Sequence, residues 1–225
     1  MSSELKIGFL LYPFMTALDW VGPAQVLCYS PGHQLHFVAK TTAPVMTDAG
    51  YQVVPSHTFE SCPPLDIVCV PGGAGQHAIM TDKETLEWLR RKGKEAAWVT
   101  SVCTGSLLLG AAGLLKEFRA TSHWNYREHL DLFGATPDAS RVVRDRNRFT
   151  GGGVTAGIDF ALSLVSELHG PQEAKEIQLL MEYAPEPPFQ AGRPEQVDAE
   201  TVRNVEGRLI ADVRRAMKSL GVAER

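Results

Sequence analysis

The segment Ala97-Trp98-Val99-Thr100-Ser101-Val102-Cys103-Thr104-Gly105-Ser106-Leu107 passes from an apolar, strand-like run into an apolar, helix-like run within a few residues. A strand that turns this quickly into a helix belongs to a βα unit, and such units assemble into parallel sheets covered by helices on both faces. The alternation recurs along the chain. Leu5–Leu11 reads as a buried strand and Ala17–Tyr29 as the helix behind it, with Leu18, Val21, Val26 and Leu27 at helical intervals and Thr16 as N-cap. Further strands are expected at Gln34–Ala39, Asp66–Val70, Ala96–Thr100 and Arg141–Arg144, and helices at Lys83–Lys94, Gly105–Ala112 and Val154–His169. Val45–Met46 and Tyr51–Val54 flank the turn signal Asp48-Ala49-Gly50, which predicts a small, peripheral hairpin extending the sheet. The fold class that follows is α/β, a mostly parallel sheet sandwiched by helices.

A chain of 225 residues with 44% hydrophobic content buries one sizeable core, so one main domain is expected, over residues 1–185. Beyond it, Tyr183–Pro194 holds Pro185, Pro187, Pro188 and Pro194 and reads as an extended connector to a last amphipathic helix, about Glu195–Ser219. Residues 186–225 are expected to pack on the domain or on a dimer partner. A lone helix does not make the paired-helix module that enters a DNA groove. The net charge of -4, with no block of like charges, gives no footprint for nucleic acid or an anionic membrane. Ile7–Tyr12 is too short for a secretory signal or a membrane span, so a cytoplasmic protein is expected. Cys28, Cys62, Cys69 and Cys103 contain no Cys-x-x-Cys pair and read as reduced thiols.

Cys103 carries the strongest chemical signal. A thiol at a helix N-terminus faces unpaired backbone N–H groups and the positive end of the dipole, which favour the thiolate. The turn also projects the side chain outward, as a nucleophile elbow does. Cys69, inside Ile67-Val68-Cys69-Val70, reads instead as a small core residue. Pro71-Gly72-Gly73-Ala74-Gly75 follows a strand, and its glycines let backbone N–H groups point into a cleft, as an oxyanion hole requires. Asp19, in the apolar run Ala17-Leu18-Asp19-Trp20-Val21, is a candidate general acid whose proton affinity desolvation raises. His123 is a second candidate partner for the cysteine. Trp20, Trp124 and Phe189 are candidates to line the pocket. The cluster Gly151-Gly152-Gly153-Val154-Thr155-Ala156-Gly157 loosely fits a dinucleotide fingerprint, but Gly157–Glu182 reads as helical throughout and supplies no second strand.

Taken together, Asp19-Trp20-Val21-Gly22-Pro23, Pro71-Gly72-Gly73, Thr100-Ser101-Val102-Cys103-Thr104-Gly105, Arg119-Ala120-Thr121-Ser122-His123-Trp124 and Gly151–Phe160 resemble the PfpI-like branch of the class I glutamine-amidotransferase-like superfamily. The resemblance implies a flavodoxin-like fold with a cysteine nucleophile elbow. The Asp19 and Cys103 pair, the glycine cluster and Glu182-Tyr183-Ala184-Pro185 resemble most closely the members that hydrate isonitriles. That implies a homodimeric, cofactor-free and metal-free enzyme that adds water to R–N≡C to give an N-substituted formamide. Cys103 is then the nucleophile, forming a thioimidate, and Asp19 the acid that protonates the isonitrile carbon. Thr104 and the amides of Gly72 and Gly73 hold water, substrate or developing charge, while His123 supports the pocket and Val154 shapes its wall. The protease-like relatives place a histidine directly after the nucleophile, where this chain has Thr104, so peptidase activity is disfavoured. A glyoxalase-like enzyme acting on reactive aldehydes and a non-catalytic ligand-sensing domain are the alternatives.

Overall fold

Strand β1 (Leu5–Leu10) lies inside a seven-stranded sheet, and its core positions Ile7, Phe9 and Leu10 are fully buried. In this computed structural model residues 4–222 are described; residues 1–3 and 223–225, at the outer limits of the two expected segments, lie outside them. After β1 come α1 (Ala17–Cys28), β2 (His33–Ala39), the short strands β3 (Val45–Met46), β4 (Gln52–Val53) and β5 (His57–Thr58), and then β6 (Ile67–Val70). The second half adds α2 (Gln76–Ile79), α3 (Lys83–Glu95), β7 (Trp98–Val102), α4 (Gly105–Ala111), β8 (Arg119–Ala120) and β9 (Thr136–Pro137). It closes with β10 (Val142–Asp145), β11 (Arg148–Gly151), α5 (Ala156–His169), α6 (Pro171–Leu180) and α7 (Ala199–Ser219).

The sheet runs β10-β11-β7-β6-β1-β2-β5, all parallel except the antiparallel edge pair of β10 and β11. Its five main parallel strands are therefore ordered 2-1-3-4-5, which is the flavodoxin-like arrangement, and the chain reverses direction across the sheet between β1 and β6. Alternate residues of β6 face opposite cores. Val68 and Val70 pack with Val99, Leu108, Leu115 and Trp88 beneath α3 and α4. Ile67 and Cys69 pack with Phe9, Val102, Phe160 and Leu164 beneath α1 and α5. Burial on both faces explains why β6 reads as an unbroken apolar run.

The structure corrects several expectations. Strand β7 continues past Thr100 to Val102, so Cys103 directly follows the last strand residue. The stretch read as one helix is two, because Gly170 takes φ +91° and Pro171 begins α6. Thr16 occupies the N-cap of α1 but its side chain caps nothing; Asp48 Oδ1 accepts from the Ala17 amide instead, at 3.1 Å. Asp48 lies in the β3–β4 hairpin, which forms its own two-stranded sheet rather than extending the main one, and which docks against the segment between β1 and α1 through Phe14 N–H to Met46 O, 2.8 Å. The last helix begins at Ala199, four residues later than expected, with Asp198 as its cap accepting from Thr201 N–H at 2.8 Å.

Candidate active site

The carboxyl ends of β1, β6, β7 and β11 converge on one crevice, where the direction reversal leaves room for a ligand. Cys103 stands at the end of β7 with φ +56°, the left-handed backbone of a strained elbow. Two sets of bonds hold that conformation. The Cys103 amide donates to Gly151 O and Gly152 O, at 3.1 and 2.8 Å, and its carbonyl accepts from the hydroxyls of Ser106 and Ser122, each at 3.1 Å. The sulfur side is polar as well: the backbone N–H groups of Val154 and Thr104 face the sulfur and favour its charged form. Val154 reaches it from a strained φ of +20°, in the turn between β11 and α5.

Asp19, in the first turn of α1, is fully buried. Its Oδ2 accepts from Gly72 N–H at 2.8 Å, while Oδ1 is buried without a hydrogen-bonding partner among the described residues. Burial pushes the carboxyl up to about 7; the Gly72 amide opposes the shift and the charge of Asp48 adds to it. The carboxyl also acts on the sulfur of Cys103. Burial, and then the negative charge of Asp19, push the Cys103 thiol up, against the pull of the Val154 and Thr104 amides. The expectation that the helix N-terminus favours the thiolate is corrected here, because desolvation outweighs it. Asp19 and Cys103 thus form one coupled unit in which a second negative charge is disfavoured. Cys69, buried in β6, is pushed up to about 12 by the same cause and stays a thiol.

The expected oxyanion hole is also corrected. Gly72 N–H is already engaged by Asp19, and Gly73 N–H donates to Thr104 Oγ1 at 3.0 Å, so the two amides fix the acid and the residue beside the nucleophile. Gly72 must be glycine for this: a Cβ there would lie 2.5 Å from Thr104 N and 3.0 Å from Asp19 Oδ2. Tyr12, buried in the segment after β1, secures the same loop by donating to Pro71 O at 2.9 Å.

Above the sulfur opens a cavity of about 570 Å³. His123 and Val154 stand in its wall, and burial lowers the proton affinity of His123. Trp20, Trp124 and Phe189 are not in the wall; Trp20 packs edge-on against Phe37 and Phe189 is 77% exposed. The wall is made instead by Phe14, Met46, His77 and Tyr126 together with Leu209 and Val213 of α7. Sequence reasoning had no signal for these, since α2 is a four-residue helix and α7 is remote in sequence. Among the described residues no group of three or more His, Cys, Asp or Glu side chains is arranged to hold a metal ion.

Residues 5–167 match the model of the DJ-1/PfpI family. The chain belongs to the DJ-1/PfpI family. Among its relatives, an isonitrile hydratase of Pseudomonas putida is 53% identical over 198 residues, covering 88% of this chain and 87% of that one. The HTH-type transcriptional regulator GbdR of Pseudomonas aeruginosa is 30% identical over 79% of this chain, which spans only 50% of the regulator's length. Of solved structures, a ThiJ/PfpI family protein from Pseudomonas syringae superposes with TM-score 0.89 at 45% identity, over 96% of this chain and 90% of that one. For a DJ-1/PfpI protein, the Asp19–Cys103 unit and the apolar cavity above it are thus the features that chemistry has to explain.

Proposed function

We infer that the chain is an isonitrile hydratase, converting R–N≡C and water to R–NH–CHO. The observation that carries this reading is the 53% identity to the Pseudomonas putida isonitrile hydratase across 88% of the chain. The site supports it chemically. A buried acid near pH 7 beside a thiol gives one proton and one negative charge to a shared pair, and the state with the proton on Asp19 and the charge on sulfur is the reactive one.

The Cys103 thiolate adds to the terminal carbon as Asp19 protonates that carbon, forming a thioimidate, R–N=CH–S, and leaving Asp19 ionised. Water then adds its hydroxyl to the carbon and its proton to the nitrogen. Collapse of the tetrahedral species returns the hydroxyl proton to Asp19, expels the thiolate and releases the formamide. The Thr104 and Val154 amides take up charge on the leaving sulfur. No redox step and no cofactor enters this scheme.

The reading extends to a homodimer in the cytoplasm, with residues 1–185 as the catalytic domain and 186–225 as a connector and helix that complete it. Among the described residues no helix is long and apolar enough to cross a membrane. Turnover of para-nitrophenyl isocyanide, followed by absorbance, tests the function with Cys103→Ala and Asp19→Asn beside wild type. Formamide production is lost in the first and slowed by about 100-fold or more in the second. Wild-type protein that is inert toward isonitriles while a thiol probe labels Cys103 sinks the assignment and leaves reactive aldehydes or ligand sensing.

A further inference from the structure

The reacting group of an isonitrile is two atoms, yet the cavity over Cys103 measures about 570 Å³, within the several-hundred-Å³ range of sites that enclose a whole small molecule. Cys103, Thr104 and Gly73 contribute the reacting part of its lining, and Phe14, Met46, Leu209 and Val213 contribute an apolar part. Two of those four come from α7. Along this helix the partly or fully buried positions include Val202, Val205, Leu209, Val213, Ala216 and Leu220, spaced by three and four residues, so one face is turned to the body. Ala216, 1% exposed, is the most deeply buried residue of α7, which packs against α2, and Leu209 and Val213 on the same face line the cavity with it. The charged pair Asp212–Arg215, at 2.9 Å, also belongs to the lining, with both side chains largely exposed.

Resting on the hydratase reading above, we propose that α7 is the specificity element of this enzyme, with Leu209 and Val213 selecting isonitriles that carry a bulky apolar substituent, of cyclohexyl or aryl size, over short alkyl isonitriles. A methyl substituent leaves most of the space above Cys103 to water, in contact with apolar walls. A cyclohexyl ring displaces that water and buries its own methylenes against Leu209 and Val213, each of which strengthens binding several-fold.

The test uses full-length wild type, the double variant Leu209→Ala/Val213→Ala, and Val213→Trp, which fills the space rather than widening it. The first readout is the ratio of kcat/KM for cyclohexyl isocyanide to that for methyl isocyanide. The ratio falls about tenfold in each variant, chiefly through the KM of the cyclohexyl substrate. The second readout needs no turnover: calorimetric affinity for N-cyclohexylformamide relative to N-methylformamide, which loses its preference in the same variants. Unchanged ratios in both measurements overturn the role of α7 while leaving hydration intact. A wild type that turns over neither isonitrile, but whose preference for the cyclohexyl ligand is lost in the variants, removes the hydratase reading and upholds α7 as the selector of bulky apolar ligands.

Discussion

Cys103 is held at φ +56°, a region that costs an L-residue about 1–2 kcal/mol relative to its ordinary conformations. Glycine adopts this backbone freely, so the usual ranking of alanine above glycine inverts at this one position. Cys103→Gly is expected to be more stable than Cys103→Ala by about 1 kcal/mol, read as a shift in urea midpoint at constant slope, with both variants inactive; alanine as the more stable of the two removes the strain argument. The neighbouring loop gives the complementary case. A methyl group on Gly72 would sit 2.6 Å from Thr104 Oγ1 and 3.0 Å from Asp19 Oδ2, forcing apart the residues that flank the sulfur. Displacement of reacting groups by about 1 Å costs on the order of 100-fold in rate. Gly72→Ala is therefore expected to lower kcat by about that factor, with KM little changed, and a wild-type kcat in the variant shows that the acid does not depend on this loop.

The β3–β4 hairpin acts on the site across the sheet edge. Its Asp48 accepts from Ala17 N–H at the start of α1, the helix that carries Asp19, and its negative charge also raises the proton affinity of Asp19. The two roles separate in two variants. Asp48→Asn keeps an acceptor for the cap but removes the charge, so the folded pKa of Asp19 drops; because Asp19 must hold a proton to act as acid, the alkaline loss of kcat/KM moves to lower pH. Asp48→Ala makes the same shift and also uncaps α1, at a cost of about 1 kcal/mol in stability. Coincident pH–rate profiles for wild type and Asp48→Asn exclude the charge effect. This element shows where sequence reading stops. The turn signal at Asp48-Ala49-Gly50 made the hairpin legible, but a bond between residues 31 positions apart leaves no local pattern, so the hairpin read as peripheral. The same limit applies to Leu209 and Val213 of α7. By contrast the break at Gly170 was written in the chain, as a glycine followed by a proline at the first helical position, and the unbroken apolar periodicity around it masked the signal.

At the scale of the whole molecule, a parallel sheet covered by helices was legible because β1, β6 and β7 are buried on both faces and must be apolar throughout, and because each is followed by a helix pattern, whereas the order of the strands was not. The same reading paired Asp19 with Cys103 as acid and nucleophile. It misjudged the direction of the thiol's shift, because the depth at which a fold buries a group depends on segments far away in sequence. That burial has a consequence for the stability of the entire fold. Asp19 has its pKa raised from 3.8 to about 7 in the native state, so the native protein retains a proton that the unfolded chain releases. With more protons bound to the native state, stability from this group is complete below about pH 4 and falls as pH rises to about 7. The amide introduced by Asp19→Asn cannot ionise, preserves an acceptor for Gly72 N–H and lacks this dependence. Urea unfolding at pH 5 and pH 8 is thus expected to show the Asp19→Asn protein gaining about 3 kcal/mol on the protein that keeps Asp19 between the two conditions. Both proteins carry Cys103→Ala in this comparison, because the thiol is coupled to Asp19; the remaining titrating groups are then common to both and cancel in the difference. Parallel stability curves would mean that Asp19 is ionised throughout that range, which deprives the thioimidate step of its acid; a gain of the expected sign ties the stability the fold gives up to the proton that the reaction uses.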